Sequence, residues 1–359
     1  MLDRTRMPID YQNWLQTEPD AVSLHLAELV ANARADAAAR TSRAIARVGL
    51  DWPTLALAIG IYGAFALVTW FYRDLPWSLV LPLGAAIVCL QSSLQHEAVH
   101  GFPTRWGWLN YLIAAPSLSL WQPYGLQRAD HLKHHVDETL TDPARDPESN
   151  YVSPQTWNAM SAPHRALRSL MTSVLGRMAV GPFYAAAQTT KRLFQAIRAR
   201  DHVMLSHWAL HGVAAAGLLW WIVDVCDIPI GAYLALFAWP GTALILLRSF
   251  AEHRAAPDVP ARTATIEAGP IMSFLYLHNN LHALHHAEPT LAWYRRPGRY
   301  RQTRKEVLAR SRYHLIGSYA LLAKNYLLEP KEPLLHPALA RIQQDARPSG
   351  GQALGSRSA

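Results

Sequence analysis

Charge is scarce in this sequence, and cysteine scarcer. Asp, Glu, Lys and Arg make up only 17% of the chain, against about a quarter in a typical soluble domain. With half of the residues hydrophobic, that shortage argues against an ordinary soluble globule. The two cysteines, Cys89 and Cys226, stand alone in no CxxC or zinc-like spacing, which excludes a disulfide framework and a thiolate metal clasp. The opening MLDRTRMPIDYQNW has no apolar core, so no cleaved signal peptide is expected. No internal repeat is visible.

What the chain does have is long apolar runs. Four are long enough to cross a bilayer, which takes about 20 helical residues: 52–72, 77–94, 203–223 and 228–247. The first two are joined only by RDLP and the last two only by DVCD, so each pair is expected to form a tight helical hairpin. Of the 34 Lys and Arg, only Arg73 lies in either short link. The positive-inside rule then places the links outside and the large basic segments, with both termini, in the cytoplasm. The net charge of +8 becomes a topology signal, and nucleic-acid binding is not expected. The 13 Trp and 14 Tyr suit interfacial belts, with Trp70, Trp77 and Trp121 as anchors.

The expected architecture is all-α and integral to the membrane: four transmembrane helices in two hairpins under a cytoplasmic helical cap. Residues 1–50 read as an N-terminal segment whose stretch 21–50 is an amphipathic, arginine-bearing helix on the inner membrane surface. Residues 51–330 form the membrane domain and 331–359 a flexible tail. The apolar stretch 108–121 is too short to span and contains Pro116, so it is expected to be re-entrant or interfacial and backed by protein. Residues 174–200 could form a second amphipathic helix.

Eight of the 17 histidines fall into three compact groups: His96 and His100 in QHEAVHG, His131, His134 and His135 in HLKHH, and His282, His285 and His286 in HALHH. All three groups, and His253 in RSFAEHRA, land on the cytoplasmic side of this topology. Spacings of three and four place imidazoles on one helical face, where they can converge on a metal. Adjacent histidines point in two directions, so each HxxHH can serve two neighbouring ions. Neutral imidazole suits Fe, Zn, Cu and Ni, and eight or nine ligands exceed what one ion can use. His96–His100 also matches the HExxH of zinc proteases, a reading that leaves the other histidines idle. His278 shares the helical spacing of the third group. His207 and His211 repeat HxxxH inside the third span and are assigned a structural or tunnel-lining role. Glu97, Asp130, Asp137, Glu252 and Glu288 flank the groups and are candidates to orient the imidazoles from behind, with His278 as a further one.

In their order and their distances from the spans, the three boxes resemble the membrane-bound fatty acid desaturase family over most of residues 50–300. RSFAEHRA and NNLHALHHAEPTLAWY resemble a bacterial branch that includes the enzyme desaturating dihydrorhizobitoxine. The resemblance implies two non-haem iron ions held by His96, His100, His131, His134, His135, His253, His282, His285 and His286, with His253 carried over from SFAEH. It implies O2 as co-substrate and a double bond introduced into a fatty acyl or similar aliphatic chain, held in a dry apolar slot between the spans. One departure is Ser249, where some members have an Asn that holds a metal water.

The sequence has neither the HPGG of a fused cytochrome b5 nor rubredoxin-type CxxC pairs. A separate ferredoxin- or cytochrome-type electron donor is therefore expected, with the basic run Arg295, Arg296, Arg299, Arg301 and Arg304 as one docking surface, or as lipid-headgroup contacts. The expected location is a bacterial inner membrane with the active site facing the cytoplasm. A hydroxylase or ketolase using the same metals is the nearest alternative, and a metal transporter a more distant one. Transport sites lie near the bilayer midplane, whereas these histidines gather outside the spans.

Overall fold

The computed structural model describes residues 49–337. All but the last two residues of the amphipathic segment expected at 21–50 lie outside that range, as does the chain beyond 337. Within it the protein is mostly helical, and four helices are long and apolar enough to cross a membrane. The first two are α1 (Trp52–Trp70) and α2 (Trp77–Val99). Their apolar residues face outward as well as inward, with Ile59, Leu67, Trp70 and Trp77 all exposed, as lipid-facing helices require. A short helix α3 (Gly107–Ala114) and then α4 (Tyr124–His134) follow.

Helix α5 (Ala162–Leu170) leads into α6 (Val174–Ala199), which matches the amphipathic helix expected there. The third long helix, α7 (His202–Leu219), continues as a π turn over Trp220–Val225. The fourth starts at Ile230, passes through a π segment at Leu234–Ala238 and ends as α8 (Trp239–Glu252). Arg73, between the first pair, forms an ion pair with Asp227, between the second. Both links therefore meet at one end of the bundle, opposite the histidines.

Helices α2 and α8 pack tightly because two glycines let them. A Cβ on Gly241 would lie 2.4 Å from Val88 Cβ, and one on Gly84 would lie 2.6 Å from the Leu236 carbonyl. Small residues at a helix contact give such close approach inside membranes. The consequence is that the C-terminal ends of α2 and α8, carrying His96 and leading into His253, sit side by side.

Helix α2 runs five residues past the span expected from hydropathy. Gln91, Ser93, Gln95, His96 and Glu97 in its last turns are all buried, so protein surrounds them. The Gln91 and Gln95 side chains donate to the carbonyls of Pro116 and Ala114. They satisfy backbone groups left open where α3 stops, which shows how the short apolar stretch 108–121 is backed by protein.

After α8 a minimal parallel ladder joins β1 (Thr265–Ile266) to β2 (Leu315–Ile316), a small departure from an all-α fold. Between the two strands lie α9 (Pro270–Leu275), α10 (His282–Ala287) and α11 (Arg296–Arg310). Strand β1 holds the third histidine box in place: Ile266 N donates to the Asn280 carbonyl, and Ala283 N to the Ala264 carbonyl. Residues 331–336 do not begin a loose tail. Lys331 Nζ donates to the carbonyls of Phe250 (2.7 Å) and His253 (2.9 Å), capping the end of α8.

Candidate metal centre

Nine imidazoles from four places in the sequence meet at one end of the helices, in two groups. The first is His96, His100, His131, His135 and His285; the second is His134, His253, His282 and His286. Within each group one ring nitrogen per residue lies within 4.8 Å of all the others. These are the nine histidines named from the sequence, and helix periodicity explains the division. His96 and His100 are four apart, as are His131 and His135, so each of these pairs faces the first group. His134, turned away from them, faces the second. The third box reverses the pattern: His282 and His286 face the second group and His285 the first. The groups abut, with the rings of His135 and His286 stacked at 4.3 Å. His253 joins from an extended residue just after α8, held by a bridge to Thr263.

Tautomers follow from what stands behind the rings. His134 Nδ1 is 3.0 Å from Asp146 Oδ1, and His131 Nδ1 is 3.0 Å from Glu148 Oε1. His253 Nδ1 donates to the Arg262 carbonyl at 3.3 Å, and His282 Nδ1 is 3.3 Å from Glu252 Oε1. In His131 and His253 the Nδ1 proton is spent on these partners, so Nε2 presents a bare lone pair, whereas His282 Nδ1, though near Glu252, makes no hydrogen bond. Yet the Nε2 atoms face one another: His253 lies 2.9 Å from both His134 and His282, and His131 lies 3.0 Å from His135 and 3.2 Å from His100. Lone pairs at such distances repel, and one proton can bridge only one pair. His96 Nε2 is also buried without a hydrogen-bond partner. A cation at the centre of each group removes the conflict.

Electrostatics support the same arrangement. Burial, reinforced by the neighbouring imidazoles, pushes His100, His135, His253, His282, His285 and His286 well below the usual histidine range. They are neutral and ready to ligate. His134 is the exception. Burial opposes its charge, but Glu148, Asp146 and Glu252 outweigh burial and push it up to about 9. For Glu148, burial works against ionisation, yet His134 and His131 hold the carboxyl below the usual range.

The residues proposed to stand behind the rings divide. Glu97 is 3.5 Å from His96 Nδ1 and Glu252 is 3.3 Å from His282. Asp130 instead pairs with Arg192, and Glu288 pairs with Arg299 at 2.7 Å. His278 leaves the stripe because Leu277 and His278 both adopt left-handed φ values, 46° and 56°, which separates it from α10. Its ring stacks on Trp293. Asp146 and Glu148, not singled out from the sequence, do the work assigned to Asp130. The only sequence signal for them is an acidic loop, DPARDPE, shortly after the second box.

Glu97 is also unsuited to be the base of a zinc protease. It is fully buried and accepts from Arg296 Nη2 at 2.7 Å. The same contact corrects the surface role expected of Arg296, which is a core residue that also donates to the Leu277 carbonyl. Arg299 and Arg304 of the basic run are exposed but paired, with Glu288 and Glu267. His211 donates through Nε2 to the Leu120 carbonyl at 3.0 Å. Neither His207 nor His211 belongs to either group.

The fatty acid desaturase family model matches residues 74–318, more than half of the chain and a stretch that holds all nine histidines. The chain belongs to the fatty acid desaturase family. Membership makes it an oxidoreductase and suggests a metal cofactor for the histidine cluster. Among curated proteins, none matches this chain. A cavity of about 500 Å³ opens beside the second histidine group, reaching His253, Glu252 and Glu148. Its walls are not the apolar slot expected from the sequence. Gln95, Gln122, Gln127 and Gln188 line it together with Trp121, Ile245, Leu246 and Phe250.

Proposed function

We propose that the protein is a membrane-bound, O2-dependent di-iron desaturase that introduces a double bond into an aliphatic chain. The observation that carries this reading is the division of nine ring nitrogens into groups of five and four, in a chain of the desaturase family. His96, His100, His131, His135 and His285 would hold one iron, and His134, His253, His282 and His286 the other. Iron so held supplies the O2 and one-electron chemistry that an unactivated C–H bond requires. The chain's own residues do the rest. Asp146, Glu148 and the Arg262 carbonyl fix which ring nitrogen is protonated, and the cavity beside His253 positions the substrate.

The four spans are read as two hairpins, with the histidine cap and both termini cytoplasmic in a bacterial inner membrane. Electrons come from a separate ferredoxin- or cytochrome-type donor. Placement in the branch that includes the dihydrorhizobitoxine-desaturating enzyme rests on RSFAEHRA and NNLHALHHAEPTLAWY. Purified protein should retain two irons, and His134→Ala and His285→Ala should each lose iron. Product mass decides the reaction: loss of two mass units supports desaturation, whereas gain of sixteen means hydroxylation. A protein that retains no iron yet moves zinc across vesicles overturns the enzyme reading.

A further inference from the structure

The cavity beside the second histidine group is lined by as many carboxylates as cationic side chains, but two of its arginines are paired with none of them. Five cationic side chains line it: Arg168, Arg177, Arg192, Arg248 and Lys331. Three have a carboxylate partner. Arg192 pairs with Asp130, Arg248 with Glu252 at 2.9 Å, and Lys331 with Glu332 at 2.8 Å. The remaining lining acids, Asp146 and Glu148, are taken by His134 and His131. That leaves Arg168 and Arg177 without an acidic partner among the described residues.

Their neighbours are neutral. Arg168 donates to Tyr184 Oη at 3.2 Å and to the Asn150 carbonyl at 2.8 Å. Its guanidinium lies 5.4 Å from the centre of the Tyr184 ring. Arg177 lies over the Phe250 ring, 5.9 Å from its centre, and its Nε is buried with no hydrogen-bond partner. Burial, with the charge of Arg168 added to it, draws Arg177 down to about 10, so it stays charged at neutral pH. A half-buried guanidinium whose Nε is shut off from water and unpaired, with no acidic partner beside it, gains most from a ligand that supplies the counter-charge. Its planar fork suits a carboxylate or phosphate. Phe250, which Arg177 overlies, is one helical turn before His253.

We infer that Arg168 and Arg177 form an anion clamp for the substrate, so that the molecule oxidised at the histidine cluster carries a carboxylate or phosphate and is not a neutral hydrocarbon. This rests on the desaturase reading for the identity of the site, but anion binding can be measured without turnover. A bare alkane or terpenoid would leave both guanidinia unpaired and the glutamine-lined wall unused. An aliphatic acid, or a lipid with a phosphate headgroup, pairs the charges and leaves its alkyl part toward Ile245 and Leu246.

The test is equilibrium dialysis of the full chain, loaded with iron and held in nanodiscs, against hexanoate, hexyl phosphate and the neutral isostere hexanamide. One of the two anions should bind about tenfold or more tighter than hexanamide, as expected for a charge-assisted contact. Which of them binds tighter separates a carboxylate source from a phosphate source. Arg177→Gln and Arg168→Gln should each remove most of that preference without changing hexanamide binding or iron content, and Arg177→Lys should retain part of it. Equal binding of hexanamide and both anions overturns the clamp, as does an Arg177→Gln protein with wild-type iron and unchanged anion preference. If Arg177→Gln does not fold, Arg168→Gln carries the same test. Charge-selective binding without iron or product would sink the desaturase reading and leave the clamp standing.

Discussion

Asp146→Asn is the sharpest perturbation the structure offers, because the carboxylate does three things at once. Its Oδ1 accepts from His134 Nδ1 at 3.0 Å and from Glu148 N at 2.9 Å, while Oδ2 accepts from Thr141 N at 2.8 Å. An asparagine of the same shape has one acceptor and one donor at those two positions. With its oxygen toward His134, the amide NH2 confronts the Thr141 N–H. Flipped, the NH2 faces His134 Nδ1 and drives that ring's proton onto Nε2, where it blocks the second histidine group. Either way a buried donor is unmatched, at a cost of about 1–3 kcal/mol. Loss of an orienting partner behind a metal-bound histidine typically lowers metal affinity about 10–100-fold, or about 1.4–2.7 kcal/mol. Iron should be counted by mass spectrometry after dialysis against graded chelator. Asp146→Asn should fall from two irons toward one at chelator concentrations where the wild type retains both. Asp130→Asn, which disturbs only the contact to Arg192, should behave as wild type. If Asp146→Asn retains both ions as tightly as the wild type does, the tautomer argument is wrong.

Three further outcomes follow from the same geometry. Six imidazoles are held well below the usual histidine range, so the unfolded chain binds more protons once pH drops below about 6.5. The metal-free protein should therefore be most stable above that pH and lose thermal stability steeply toward pH 5.5. His134, pushed up to about 9, works oppositely but alone, its contribution fading as pH rises through 9; a midpoint equal at pH 5.5 and 7.5 contradicts the assignment. Glu97→Gln strands the buried Arg296 charge and should cost about 3–5 kcal/mol. A Glu97→Gln, Arg296→Met double variant should recover much of this in a thermal melt, and no recovery would mean that the pair is not the source. Gly241→Ala should cost about 1–3 kcal/mol by overpacking against Val88, and Val88→Ala in the same protein should relieve it; additive losses would argue against that contact.

Hydropathy and spacing carried the large features. The four apolar runs became four long helices, and the three boxes with His253 are the residues that converge. Span ends were harder to read, because a hydropathy run stops at the first polar residues. In α2, Gln95, His96 and Glu97 continue the helix only because other segments cover them. Long-range partners were harder still. Arg296 reads as one of several arginines in a basic run, and its counter-charge Glu97 lies 199 residues earlier. Asp130 stands out in the sequence because it sits next to a histidine, whereas Asp146 reaches His134 only through the way its loop folds back. His278 was included by counting residues, and two left-handed backbone positions undid the count.

The capping contact from Lys331 to the carbonyls of Phe250 and His253 bears on the order of biogenesis. The pocket draws its imidazoles from residues 96 to 286, and the strap that closes over His253 comes 45 residues later still. During synthesis, all four hydrophobic segments can enter the bilayer before the ribosome has delivered the last histidine. Metal loading would thereby be a late, post-insertional event, and a truncated or stalled polypeptide would sit in the membrane with an open, unmetallated pocket.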